Sequence, residues 1–396
     1  MVFMEFPNTV RVNGKELDPL AKLTTLPPLL GLTIEDLRRV EREIQGKYDL
    51  GEINSGFINV DETHYPISIF ETFIWHGRTT HSRPRAEFPV FEEVHAVKGS
   101  GLLGWPKALE ATNGAGIKRR YPIVVREDRD LDSHRFWGGE SITFAEHQYV
   151  NALILNALIK RHSLPQSTYF PLRVIGFEQL PVMENEEMKI CHLEDYCDQG
   201  FSFSKDHVKV PTLDQAQKFA QLHYVGDTLD FRVLTGSMKD DGGHRYYAPG
   251  ALSKLGNTEE KRQRVVDFTR KVASLTKIVH EHGGSFAAYT SNRPLTSLSA
   301  NNVSLQGNVC DLDTLEFSAV GDIKRLQAMD YEFALRTCIG FAEMLDIISL
   351  NDSLTPGAYK IERFGTLYAT LGLGTDSKKA FSEIYHKPNL PNWIED

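Results

Sequence analysis

The two halves of this 396-residue chain carry different periodicities, and that contrast restricts the folds open to it. In the first half the apolar residues come in short runs broken by Gly, Pro and charge, as strands do. In the second half helical spacing dominates, over 212–224, 258–282, 324–349 and 378–386. Strands in one block and helices in the next predict an α+β chain in two lobes, not an alternating parallel sheet.

Residues 1–50 read as an N-terminal extension holding one short helix. Thr33 is its N-cap, acidic residues fill the first turn, and Leu37, Val40 and Ile44 form the apolar stripe. Residues 51–197 read as the first lobe. Within it, Ile67, Ile69, Phe73 and Ile74 precede a basic turn from Trp75 to Arg85, and Phe88 to Val97 follow it, which predicts a hairpin. Residues 99–138 are rich in Gly, Arg, Asp and Trp without a clear period, and read as a long insertion. A helix is expected over 139–162, ended by Pro165, with strands around Tyr169–Phe177 and Lys189–Leu193. The turn-rich stretch Asp198–Asp206 is the expected hinge, and 198–396 the helical second lobe.

Composition narrows the partners. A net charge of −9 gives no excess for neutralising phosphate, so no nucleic-acid partner is expected. No run of 18 apolar residues and no basic-then-apolar leader is found, so the expectation is a cytoplasmic protein without a membrane contact. Cys191, Cys197, Cys310 and Cys338 match no zinc or redox spacing and read as free thiols, the alternative being a Cys191–Cys197 pair in an oxidising compartment.

The chemistry is concentrated in Leu295–Thr314. Asn302 precedes Val303 and Leu305, a Gly307-Asn308 turn follows, and then Val309, Cys310 and Asp311. A hairpin folded on that turn brings the Asn302 amide and the Asp311 carboxylate to the same end. An amide oxygen beside a carboxylate suits Mg²⁺ or Mn²⁺ carrying nucleotide phosphates, as in protein kinases. The other reading is a surface hairpin whose Asn and Asp cap turns. Upstream, Val94–Lys98 reads as a strand ending in a lysine before Gly99, and the next strong helix carries Glu146. A strand lysine paired with a helix glutamate anchors ATP in kinases. Glu140 competes with Glu146 for that role. Arg78 and Arg245 are candidates for nucleotide phosphate, and Asp313 for a second ligand or an acid/base group.

Asn301-Asn-Val-Ser-Leu-Gln-Gly-Asn-Val-Cys-Asp311 resembles the metal motif of the selenoprotein O family of kinase-like AMP transferases. Asn302, Ser304, Gly307 and Asp311 match in register, and Val97-Lys-Gly-Ser-Gly101 is similar to the family's lysine strand. The resemblance implies a two-lobed protein-kinase-like fold. It implies that Lys98 and Glu146 hold ATP and that Asn302 and Asp311 hold the metal. It also implies AMP transfer from ATP to a protein hydroxyl. The family's proposed base falls on Asn301, an amide that takes no proton. The place of the kinase catalytic aspartate, five residues before Asn302, holds Ser297. Two further readings therefore stand beside adenylylation: phosphate transfer to a protein or small-molecule acceptor, and a pseudoenzyme acting through protein contacts.

Overall fold

The computed structural model describes residues 9–47, 55–59, 74–75, 79–82, 94–98, 102–103, 110–121, 125–126, 140–165, 170–197, 200–204, 208–226, 258–289, 294–298, 302–303, 307–309, 312–317, 322–350 and 372–388. The chain is mixed α+β and forms two compact units. The first comprises 1–22, 43–149 and 171–226, and the second comprises 23–42, 150–170 and 227–396. Both are discontinuous in sequence. The single boundary expected at 197/198 is replaced by several crossings, the last at 226/227.

A seven-stranded sheet runs through the first unit in the order Gly14–Leu17, Phe170–Phe177, Phe219–Gly226, Val94–Lys98, Thr79–Ser82, Ile74–Trp75, and Glu140–Ser141 pairs separately with Phe219–Gly226. The strands from Ile74 to Lys98 make an antiparallel meander. Part of the basic turn expected between Trp75 and Arg85 is thus a strand. Thr79 and Thr80, β-branched, pair with Lys98 and Val97.

A second, five-stranded sheet has the order Glu187–His192, Gln179–Glu184, Lys118–Arg120, Glu110–Asn113, Phe201–Phe203. It corrects two expectations. The 99–138 segment supplies two of its strands, and the expected hinge supplies Phe201–Phe203. The local chemistry explains the first. Asn113 Oδ1 accepts from the Ala115 and Ile117 amides, which closes a tight loop between the two short strands. Asn185 and Glu186 both have positive φ, which is the turn a two-residue hairpin needs. Tyr121, Leu180, Val182, Tyr196 and Phe201 form the core beneath, with the Tyr121 and Tyr196 rings edge-to-face at 5.3 Å.

The expected helix over 212–224 is mostly strand. Thr212 and Gln215 form a capping box for the one-turn helix Leu213–Ala216, and Phe219–Gly226 then pairs with Val94–Lys98. The run Phe219-Ala-Gln-Leu-His-Tyr-Val is aromatic and β-branched, and its interior place in the sheet outweighs the apolar spacing that also fits a helix.

In the second unit the helices Thr258–Glu281, Ile323–Leu350 and Leu373–His386 pack on one another. Phe268, Val272, Leu275 and Ile278 of the first and Ala334, Cys338 and Phe341 of the second are all buried. The Phe268 and Phe341 rings lie 4.4 Å apart. The helix Ile142–Arg161 gives its first two turns to the first unit and the rest to the second. The helix Ile34–Lys47 begins as expected: Thr33 Oγ1 accepts from the Asp36 amide and Asp36 Oδ2 accepts from the Thr33 amide. That Asp36 carboxyl is held below its ordinary pKa, chiefly by the Thr33 hydroxyl.

Candidate functional site

The segment after Thr258–Glu281 turns back on itself as the glycines and asparagines direct. Val303 and Val309 form an antiparallel bridge, both fully buried. Gly307 between them has φ of +80°, and a β-carbon there would lie 3.0 Å from Lys271 Cβ. The turn therefore needs glycine twice over, for its backbone sign and for its approach to the helix. Beyond the bridge a 3₁₀ turn, Leu312–Thr314, is fastened by Asn151, whose Nδ2 donates to the Leu312 and Leu315 carbonyls at 3.0 and 2.7 Å.

Asn302 heads this hairpin. It is 7% exposed, and its Oδ1 accepts no hydrogen bond. A buried amide oxygen without a donor costs about 1–3 kcal/mol. An ion or ligand as the missing partner is one explanation of such a group. The donor type fits a hard cation such as Mg²⁺. Asp313 sits half-buried in the 3₁₀ turn. Asn301, Asp311, Arg78 and Arg245 lie outside the described residues. Among the described residues no three His, Cys, Asp or Glu side chains converge on a metal position.

Ser297 is not poised for chemistry. It is 1% exposed, its Oγ is 2.9 Å from Thr314 Oγ1, and Thr314 Oγ1 donates to the Phe286 carbonyl at 2.7 Å. The hydroxyl closes the loop rather than facing a substrate.

The group that organises the loop is one the sequence did not single out. Asp330, in Ile323–Leu350, is fully buried. Its Oδ2 accepts from Ser285 Oγ at 2.8 Å, from the Phe286 amide and from His280 Nε2 at 3.2 Å, and its Oδ1 accepts from Thr296 Oγ1 at 3.2 Å. With its Nε2–H given to Asp330, the His280 ring takes the Tyr385 hydroxyl on Nδ1 at 2.6 Å. Burial first, and the Asp330 charge next, push the Tyr385 hydroxyl pKa up to about 12. A signal for Asp330 was available: it lies four and eight residues before buried Ala334 and Cys338, so it is an acid on the apolar stripe of its helix. His280 is thus a network residue, not the helix cap that its position suggests. Gly283 ends the helix, with φ of +71° and its amide donating to the His280 carbonyl.

In the first unit Lys98 closes its strand between two neighbours, opposite Thr79 on one side and Leu222 on the other. Glu146 lies in the first half of the helix that follows in sequence, but its carboxylate is held by Lys22, whose Nζ donates to Oε1 at 2.7 Å and Oε2 at 2.9 Å. Glu140, the competing residue, sits in a strand opposite Ala220, and its Oε2 accepts from Gln148 at 3.5 Å. Among the described helices none is long and apolar enough to cross a membrane. Compared with protein-family models, curated proteins and solved structures, the chain matches none.

Proposed function

We propose that this chain is an ATP- and divalent-metal-dependent transferase on a two-lobed, protein-kinase-like fold, and that it moves AMP to a hydroxyl of a protein acceptor. The observation that carries the reading is the buried, unpartnered Oδ1 of Asn302, at the residue where the motif requires a metal ligand. The order of elements agrees with it. An antiparallel meander of three strands ends in Lys98, a helix with Glu146 follows, and a long helix and the Asn302 hairpin come later. That is the order in which kinases present the nucleotide-covering loop, the strand lysine, the helix glutamate and the metal ligands.

In this reading Asn302 and Asp311 hold Mg²⁺ or Mn²⁺, which supplies charge neutralisation at the phosphates. Lys98 and the arginines Arg78 and Arg245 contact phosphate. The acceptor hydroxyl attacks the α-phosphorus, pyrophosphate leaves, and the hydroxyl proton passes to Asp313, the carboxylate that stands in for the amide of Asn301. Most of the rate then comes from positioning and charge, so the lack of an acid at 301 is tolerated.

A second reading, a nucleotide-binding pseudoenzyme, is favoured by one observation: Glu146 is engaged by Lys22. Mass spectrometry of the protein and a lysate, incubated with ATP and Mg²⁺ or Mn²⁺ beside the Asp311→Ala variant, separates the readings. Addition of AMP that is lost in the variant is the expected result. Addition of phosphate would make the protein a kinase. No addition despite an ATP-dependent thermal shift would leave the pseudoenzyme, and no shift at all would sink the nucleotide site.

A further inference from the structure

Three successive backbone carbonyls of the segment Leu29–Gly31 are gripped by side chains from two helix ends. Arg161, the last residue of Ile142–Arg161, donates Nη1–H to the Leu30 carbonyl and Nη2–H to the Gly31 carbonyl, both at 2.8 Å. His282, one residue past Thr258–Glu281, donates Nδ1–H to the Leu29 carbonyl at 2.9 Å. A carbonyl only accepts, so this contact fixes the proton of His282 on Nδ1 and leaves its Nε2 with a lone pair. That lone pair faces His162 Nε2 at 2.9 Å. The neutral pair therefore holds one hydrogen between the two rings, donated by His162.

The arithmetic of protons is then constrained. One added proton is accommodated: His162 shifts its hydrogen to Nδ1, and His282 as a cation donates on both sides. A second is not, because two N–H groups would face each other at 2.9 Å. Both rings are half-buried. Arg161, next to His162 on the same helix, adds positive charge, Glu281 from the other helix is an acid that acts on His162, and Pro28–Gly31 contributes no charge. Glu281 is itself shared with Lys277, 3.8 Å away. Burial, then the charge of His282, lower the pKa of His162 below the ordinary imidazole value. The folded state therefore binds fewer protons than the unfolded chain just below that value, and the contact weakens as pH falls. Two imidazoles with no third ligand among the described residues make no metal centre.

We propose that His162 and His282 form an acid-sensitive latch that clamps the Leu29–Gly31 segment at neutral pH and lets it go when the pair takes up its second proton. Leu29 lies directly over Gly283, where an added β-carbon would come within 2.7 Å of its Cδ1. Loss of the His282 bond therefore also loosens that contact.

Hydrogen exchange of the full-length protein, with EDTA present, tests the latch. The amides of Leu30 and Gly31, which donate to the Pro27 and Pro28 carbonyls, report on the segment. After correction for intrinsic rates, their protection should fall about tenfold or more between about pH 7.5 and pH 5, while the Thr258–Glu281 amides stay protected. His162→Phe should abolish the fall, because a lone His282 cation still donates to Leu29. His162→Arg should leave the segment unprotected at both pH values. Should either variant fail to fold, His162→Gln gives the same answer as His162→Phe. Unchanged protection in the native protein, the same fall in His162→Phe, or loss of protection throughout the helix would each overturn the latch.

Discussion

Lys22 Nζ lies 2.7 and 2.9 Å from the two carboxylate oxygens of Glu146, so the acid that the sequence pairs with Lys98 is engaged by a lysine 124 residues upstream. Lys22 is 64% exposed and Glu146 14%, so the pair adds at most about 1 kcal/mol to stability. Its consequence for binding is larger if Lys98 needs Glu146, because only the fraction with a free carboxylate is competent. Lys22→Ala is expected to tighten ATP binding about threefold or more while leaving the melting temperature nearly unchanged. Glu146→Gln should weaken ATP binding in the same titration. Weaker binding in Lys22→Ala would instead make Lys22 the phosphate-anchoring lysine.

Asn302 gives a stability test with an inverted sign. Its buried Oδ1 is unpaired in the free protein, so the near-isosteric Asn302→Leu removes a cost. Free protein should gain about 1 kcal/mol in denaturant unfolding. The same variant should lose the thermal shift given by Mg²⁺ with ATP, and Asn302→Asp should keep it. A loss of stability in Asn302→Leu, with the metal response intact, would remove Asn302 from the site.

The hairpin itself was legible because it rests on short-range rules: Gly307 and Asn308 for the turn, Val303 and Val309 for the buried bridge. The long helices were legible for a similar reason, since their apolar spacing runs over many turns. Short strands were not. Thr79–Ser82 and Lys118–Arg120 hold only a few polar and basic residues, and part of their pairing is non-local: with Val94–Lys98 for the first and with Met183 and Glu184 for the second. Phe219–Gly226 misled because an interior strand with both faces buried loses the alternation that identifies strands. The partner of Glu146 was beyond sequence reading for the same reason. Nothing local to Lys22 announces a carboxylate so far along the chain.

Asp330 accepts from four groups. Truncation to Ala would remove the acceptor of the Phe286 amide, the Thr296 hydroxyl and His280 Nε2 in the buried interior, and leave the Ser285 hydroxyl only the longer bond to the Ala287 carbonyl at 3.3 Å. The expected loss is about 3–5 kcal/mol, seen as an early transition in urea. Ser285→Ala removes one donor and should cost about 1 kcal/mol by the same measurement. Equal losses from the two variants would show that the carboxylate is not the hub.

The three described cysteines, Cys191, Cys197 and Cys338, should be slow to alkylate at neutral pH. Burial, then the Glu194 charge, push Cys197 up to about 11, and burial raises Cys191 and the fully buried Cys338 as well. The thiolate is the nucleophile, so each stays protonated until pH approaches its raised pKa. Peptide mass spectrometry after iodoacetamide should show Cys197 labelling rise steeply between about pH 8 and pH 10 and Cys338 unlabelled until unfolding. Fast labelling of Cys197 at neutral pH would mean that it is not buried as described.

Two glycines predict opposite outcomes for the same change. Gly284 is buried in a short strand, and a β-carbon there would lie 2.6 Å from the Phe317 ring and 2.9 Å from Val279 Cγ1. Both neighbours are pinned, Phe317 by its pairing with Gly284 and Val279 within its helix. Gly284→Ala should therefore cost about 1–3 kcal/mol by overpacking. Gly340 lies inside Ile323–Leu350 with nothing within 4 Å of an added β-carbon. There Ala only restricts the unfolded chain and favours the helix, so Gly340→Ala should add about 0.5–1 kcal/mol. Chemical denaturation of the two variants beside the parent reads both signs at once. A stabilising Gly284→Ala would mean that the Gly284–Phe317 strand pairing is not as close as described.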